Sequence, residues 1–243
     1  MAKISARNAR LLLSGRDFSG HTNNITLDLT VDTPEVTTFA DNTVQNLHGG
    51  VKANELTSDG FFSTGASQVD AELYDMVAQP VLTGFYPYLY SASQTGYEFT
   101  GVLNKYNMKF GVNDAAGMSL TVSGGSTAGV LRGQVLAGTT VSAVGTSNLG
   151  SVDFGGYGAV TYGILHVISL TGTTPKLSAS IQHSNDDSSF TTIYTAGSII
   201  PAHLSTLISA CMTSALSASR YRRVAVELEG TSPCATFVIT SAS

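Results

Sequence analysis

The chain reads as a mainly β protein built of antiparallel strands, with one or two short helices and a second, smaller β unit following the first. Three observations predict this. Apolar and polar residues alternate with a period of two in one run after another, the connections between runs are rich in Gly, Asn and Asp, and only two segments carry a helical stripe.

The first strand-like runs are "ARLLLSG" and "NNITLDLTV". In the second, Ile25, Leu27, Leu29 and Val31 fall on one face and Thr26, Asp28 and Thr30 on the other, so one face is expected on a core and one against solvent or a partner. "TPEVTTFAD" adds β-branched residues after Pro34, and "VKANELTSDGFFS" alternates again. A short helix is expected in "SQVDAELYDMVAQP", where Val69, Leu73, Met76 and Val77 share a stripe that Pro80 ends. "YEFTGVLNKYNMKFGV" and "MSLTVSGGS" read as a hairpin around "NDAAG".

Between "GVLRGQVLAGTT" and "TSNLGSVDFGGYGAV" the chain becomes rich in Gly, Ser and Thr and nearly free of charge, which places a boundary near Gly138 and units at 1–137 and 138–243. After it, "VTYGILHVISL", "KLSASIQHS", "FTTIYT", "RYRRVAVELEG" and "CATFVITS" read as further strands. "PAHLSTLISACMTSALSAS" opens with Pro201 and sets Leu204, Leu207, Ile208, Cys211, Met212 and Leu216 at helical spacing, predicting a helix over about 201–218. Its polar face is Ser and Thr, which suits a covered helix.

Charged residues make up 12% of the 243 positions, about half the roughly 25% usual in soluble domains. With 42% apolar residues the chain can bury a core, and so little charge leaves surface suited to other subunits. Self-assembly follows as the first expectation. The net charge of −5 speaks against gripping nucleic-acid phosphates. Cys211 and Cys234 form no CxxC pair and read as reduced thiols, with a disulfide as the alternative. In "MAKISARNARLLL" the apolar run ends too soon for a secretory signal, and no window is apolar enough to span a bilayer, so a soluble intracellular product is expected.

Candidate chemistry is sparse. His21, His48, His166, His183 and His203 are scattered without an HExxH pattern, and neither a GxSxG, a P-loop nor a GxGxxG segment occurs. No catalytic residue, cofactor or metal is therefore assigned, and the chain is not read as an enzyme. Asp186 and Asp187 in "HSNDDSSF" are weak metal candidates, because oxygen-rich loops hold calcium, but the EF-hand spacing is missing and tight turns select the same residues. Arg220, Arg222 and Arg223 are too few for a nucleic-acid footprint and are read as subunit-interface residues, with Glu227 and Glu229 as partners across the interface. "FYPYLY", Phe85 to Tyr90, reads as a core and interface cluster, with a sugar-stacking surface as the alternative.

The segment "ARLLLSGRDFSGHTNNITLDLTVDTPEVTTFADNT" followed by "LHGGVKANELTSDGFF" resembles the N-terminal half of tailed-phage major tail, or tail tube, proteins. The likeness rests on Val36, Thr37, Thr38, Phe39 and Asp41, then Gly49, Gly50, Gly60 and Phe61, and extends more loosely to about residue 136. The second half resembles β modules of various phage virion proteins. The resemblance implies a β-sandwich or barrel of tail-tube type whose sheets join across subunits into trimeric or hexameric rings, stacked into a tube that conducts DNA without binding it specifically. It implies a virion protein of the tail, present in the host cytoplasm before assembly, with other tail proteins as partners and no membrane. A long loop would then reach the adjacent ring, and the Gly-rich stretch supplies its candidates: Asp41, Asn42, Gln45, Leu47, His48, Gly49, Gly50 and Lys52. A capsid decoration protein, a distal tail protein and a carbohydrate-binding β module are the alternative readings.

Overall fold

A computed structural model describes residues 6–31, 52–65, 68–88, 92–124, 129–155, 160–199, 214–215 and 220–242. In chain order the strands are β1 (Arg10–Leu13), β2 (Arg16–Asp17), β3 (Thr22–Val31), β4 (Lys52–Phe61), β5 (Pro80–Tyr86), β6 (Thr95–Lys109) and β7 (Gly117–Gly124). They continue with β8 (Leu131–Val141), β9 (Gly145–Asn148), β10 (Val152–Asp153), β11 (Val160–Ser184), β12 (Thr191–Ile199), β13 (Ser214–Ala215) and β14 (Tyr221–Ala242). The helix α1 spans Val69–Met76. The protein is mainly β and the registered strand pairs are antiparallel, as the alternating runs predict.

The chain forms two compact units that interleave in sequence. Unit 1 comprises Met1–Ser19, Leu82–Glu98 and Leu131–Ser243, and unit 2 comprises Gly20–Val81 and Phe99–Val130. Gly138, where the composition changes, lies within β8.

Unit 1 is organised by two long strands. Leu165 pairs with Ile239 and Val167 with Phe237 along one arm of β11 and β14, and Ile181 pairs with Val224 and Leu177 with Leu228 along the other. Between the arms the register shifts near Thr171 and Thr173, where Gly172 and Gly230 take φ of 127° and 118°. An unbent β14 would hold Arg222 and Ser241 about 60 Å apart. Instead the Arg222 guanidinium donates to the Ser241 hydroxyl at 2.9 Å, so the strand doubles back and its arms face each other in a sandwich. Leu165, Val167, Leu177, Ile181, Val224, Leu228, Phe237 and Ile239 fill one apolar core between the arms. A Leu or Phe buried so completely contributes about 1.5–3 kcal/mol.

One layer joins β12, the 176–184 arm of β11, the 221–229 arm of β14, and β9 and β10. The other continues from β14 through β8, the start of β6, β5 and β1 to β2. Leu11, Leu12 and Leu13 are all buried, so β1 is covered on both faces.

Unit 2 is a four-stranded antiparallel sheet in the order β3, β4, β7, β6. The hairpin expected around "NDAAG" is β6 and β7, with Lys109 opposite Gly117. Helix α1 carries Asp70 and Glu72 in its first turn, where the macrodipole favours acids, and buries Val69, Leu73 and Met76. Val77 does not extend that stripe. It leaves the helix with an extended backbone and is 38% exposed, while Ala78 follows at φ 62° and Pro80 opens β5.

Candidate assembly surface

Residues alternate along the unit 2 sheet, so its two faces differ. Leu56, Leu103, Leu120 and Val122 form a buried row on one face, and Tyr106 of β6 on that face donates its hydroxyl to Asp70 of α1 at 3.1 Å. Burial first, and then the bond to Asp70, raise the Tyr106 pKa well above its ordinary value. The opposite face is polar. Across the strands run the rows Asn24–Asp59–Ser119–Asn107 and Thr26–Thr57–Thr121–Lys105, with Asp28, Glu55 and Ser123 beside them. Its acids Asp28, Glu55 and Asp59 nearly balance Lys105 and Lys109, three against two.

Among the described residues this sheet is open along β3 and at the far end of β6. β3 pairs with β4 alone, and its inward row becomes more exposed toward its end, Leu29 reaching 57% and Val31 50%. On the other margin, Val77 bridges Leu103, and beyond it residues 104–109 of β6 pair only with β7. Met108, Phe110 and Val112 are exposed at this end, with Phe62 packed edge-on against Phe110 at 5.0 Å between centroids.

Of the inter-ring candidates, Asp41, Asn42, Gln45, Leu47, His48, Gly49 and Gly50 lie outside the described residues, and Lys52 is the first residue of β4. The expected helix over 201–218 also lies outside them, except Ser214 and Ala215, which pair as β13 with Val160 and Thr161. Cys211 is not described, and Cys234 is a free thiol.

The arginine trio diverges. Arg220 forks onto Asp153, with bonds of 2.8 to 3.1 Å, and the Arg220 hydrogen bond, followed by the Gly155 N–H, lowers the Asp153 pKa. Arg222 is buried between the sandwich layers, over the Phe154 ring at 4.3 Å, and that burial lowers its own pKa. Arg223 donates to Gln182 at 2.8 Å and stands over Phe190 at 3.9 Å. Glu229 lies 3.5 Å from Lys176, whereas the Glu227 side chain makes no hydrogen bond among the described residues.

Asp186 closes its own turn. Its carboxylate accepts the Ser184 hydroxyl and the N–H groups of Ser188 and Ser189, which hold its pKa well below the usual carboxylate range, Ser189 contributing most. The neighbouring Asp187 takes a left-handed φ of 58°. Among the described residues no three His, Cys, Asp or Glu side chains stand together as a metal site, and no helix is long and apolar enough to cross a membrane. Phe85 of the aromatic segment stacks on Tyr97, and Tyr86 is buried.

One cluster escapes sequence reasoning. On the face of the second unit 1 layer that points away from the sandwich core, Glu98 accepts the hydroxyls of Tyr86 and Thr240 and meets His166 Nε2 at 2.9 Å. All four residues are buried. The backbone leaves room for them at Gly84, where a Cβ would stand 2.8 Å from His166 Nε2 and 3.0 Å from Glu98 Oε2.

No protein-family model matches the chain, and no curated protein matches it in sequence. Solved structures similar to it include a chain from the virion of a native gene transfer agent particle, with a TM-score of 0.39 at 12% identity over 51% of this chain and 96% of that one. A chain from the C6-symmetric tail of an empty gene transfer agent particle gives 0.40 at 13% identity, over 52% and 96%. The Dit protein of phage SPP1, a hub adsorption apparatus component, gives 0.39 at 10% identity, over 97% and 99%.

Proposed function

We propose that this protein is a structural, non-enzymatic subunit of a phage tail, and that its copies pair sheet to sheet into rings that stack as a tail tube. The observation that carries the reading is the unit 2 sheet, whose margins are open, among the described residues, along β3 and at residues 104–109 of β6, with one face clothed by α1 and the other polar and nearly balanced in charge. A monomer normally blunts such edges, because an unpaired row of N–H and C=O groups recruits another strand. Here β3 of one copy meeting β6 of the next is a head-to-tail contact, and head-to-tail contacts close into rings when the rotation permits. The face rich in Thr, Ser and Asn then lines the ring. A surface of that kind, slightly acidic in balance, offers a DNA polyanion no net attraction. The residues Val36, Thr37, Thr38, Phe39 and Asp41, then Gly49, Gly50, Gly60 and Phe61, through which the sequence resembles tail tube proteins, support the same reading.

The test is solution mass against concentration for the full chain and for Leu29→Lys/Val31→Lys. Both residues are exposed, so the double variant should melt like the parent, the effect of each change on stability being within about 0.5 kcal/mol. The parent should grow into rings or larger species while the variant stays monomeric. Equal growth of the two, or a parent that is monomeric at every concentration, contradicts the reading.

A further inference from the structure

On the outer face of the β12–β11–β14–β9 layer of unit 1, the cross-strand registers build a furrow of about 400 Å³. Its floor is the row Thr195–Ser180–Ala225–Asn148, small residues apart from Asn148 at the end. Two residues along the strands on either side stand larger side chains. One wall is Gln182 beside Arg223, and the other includes Glu227. Gln182 and Ser178, which mark the walls on β11, are four residues apart, so the furrow is about 13 Å across.

The walls are chemically unlike. Arg223 is fixed by the Gln182 oxygen at its Nε and by the Phe190 ring beneath it, an arrangement that orients the guanidinium. Gln182 in turn donates to Thr192 at 3.2 Å. Opposite, the side chains of Glu227 and Asn148 make no hydrogen bond among the described residues, nor does that of Thr195 on the floor. Oriented donors therefore face a carboxylate acceptor across a floor bearing hydroxyl and amide groups.

We propose that this furrow binds a neutral polyhydroxylated chain, a glycan lying across the strands. Sugar hydroxyls both donate and accept, so separate hydroxyls along one glycan chain can accept from the guanidinium on one wall and donate to the carboxylate on the other, which neither a purely anionic nor a purely cationic ligand can do. A phosphate polymer would be attracted by Arg223 and repelled by Glu227. An extended peptide has no backbone partner on the floor, because the strands beneath are already paired with one another. The predominantly apolar lining of a typical small-molecule pocket is absent, and polar groups line most of the furrow. The site belongs to unit 1 alone and does not depend on ring assembly.

The experiment is titration calorimetry of the full chain with dextran, mannan, β-1,4-galactan and chitohexaose, with dextran sulfate and a library of extended peptides in parallel. At least one neutral glycan should bind with Kd at or below about 1 mM. Glu227→Gln should weaken that binding about tenfold, the loss of one charge-assisted hydrogen bond, and Ser180→Trp, which fills the floor, should abolish it, while both variants melt like the parent. The proposal is overturned if none of the four neutral glycans binds, if binding is indifferent to both Glu227→Gln and Ser180→Trp, or if only dextran sulfate or a peptide is captured.

Discussion

Glu98 is 1% exposed and serves three partners, from strands that lie 12, 68 and 142 residues away in sequence. Burying a carboxyl group is costly unless its oxygens are bonded, and here the bonds come from β5, β11 and β14. Replacement Glu98→Ala strands two hydroxyls and an imidazole nitrogen in the interior and should cost about 3–5 kcal/mol in urea unfolding. A loss below about 1 kcal/mol would show that the cluster adds little. None of this was legible in the sequence, because a Glu within an alternating run reads as a solvent-facing residue and its partners are remote. Asp186 was more legible, since a turn and a cation loop select the same residues and the bonds that decide between them are local. Its depressed pKa has a sign: the stabilisation is complete above the unfolded carboxyl value of about 3.9 and is lost as pH falls through the lower folded value. Asp186→Asn should therefore melt below the parent at neutral pH, and the gap should narrow in acid. A gap that does not change with pH would assign the turn's stability to other contacts.

Among the elements, the period-two runs located strands well because each has one face on a core, as Leu56 and Leu120 show in β4 and β7. Their continuity was hidden. "VTYGILHVISL" and "KLSASIQHS" read as two strands divided by a turn, yet they are two arms of β11, and "RYRRVAVELEG" and "CATFVITS" are likewise arms of β14. Gly172 and Gly230 look like turn residues in sequence and act as the corners of a sandwich. At Gly230 φ is 118°, and a Cβ would stand 2.9 Å from the Thr173 carbonyl oxygen. Gly230→Ala should therefore lower stability by about 1–3 kcal/mol, with the melting temperature as readout. An unchanged melting temperature would mean that the corner relaxes without strain.

At the scale of the molecule, the expectation of assembly came from composition rather than from any motif. At 12% the charged residues are about half the usual share, and under the proposed function the contacts lie along β3, at the end of β6, and at Met108, Phe110 and Val112. How the chain interleaves its two units was not legible, because strand partners are chosen by long-range pairing that leaves no local trace. The account's central claim is that copies of this chain close into rings and stack. Negative-stain electron microscopy of the concentrated protein tests it most directly: hollow tubes or stacked rings with threefold or sixfold symmetry are predicted, and compact particles or monomers that never stack would contradict it.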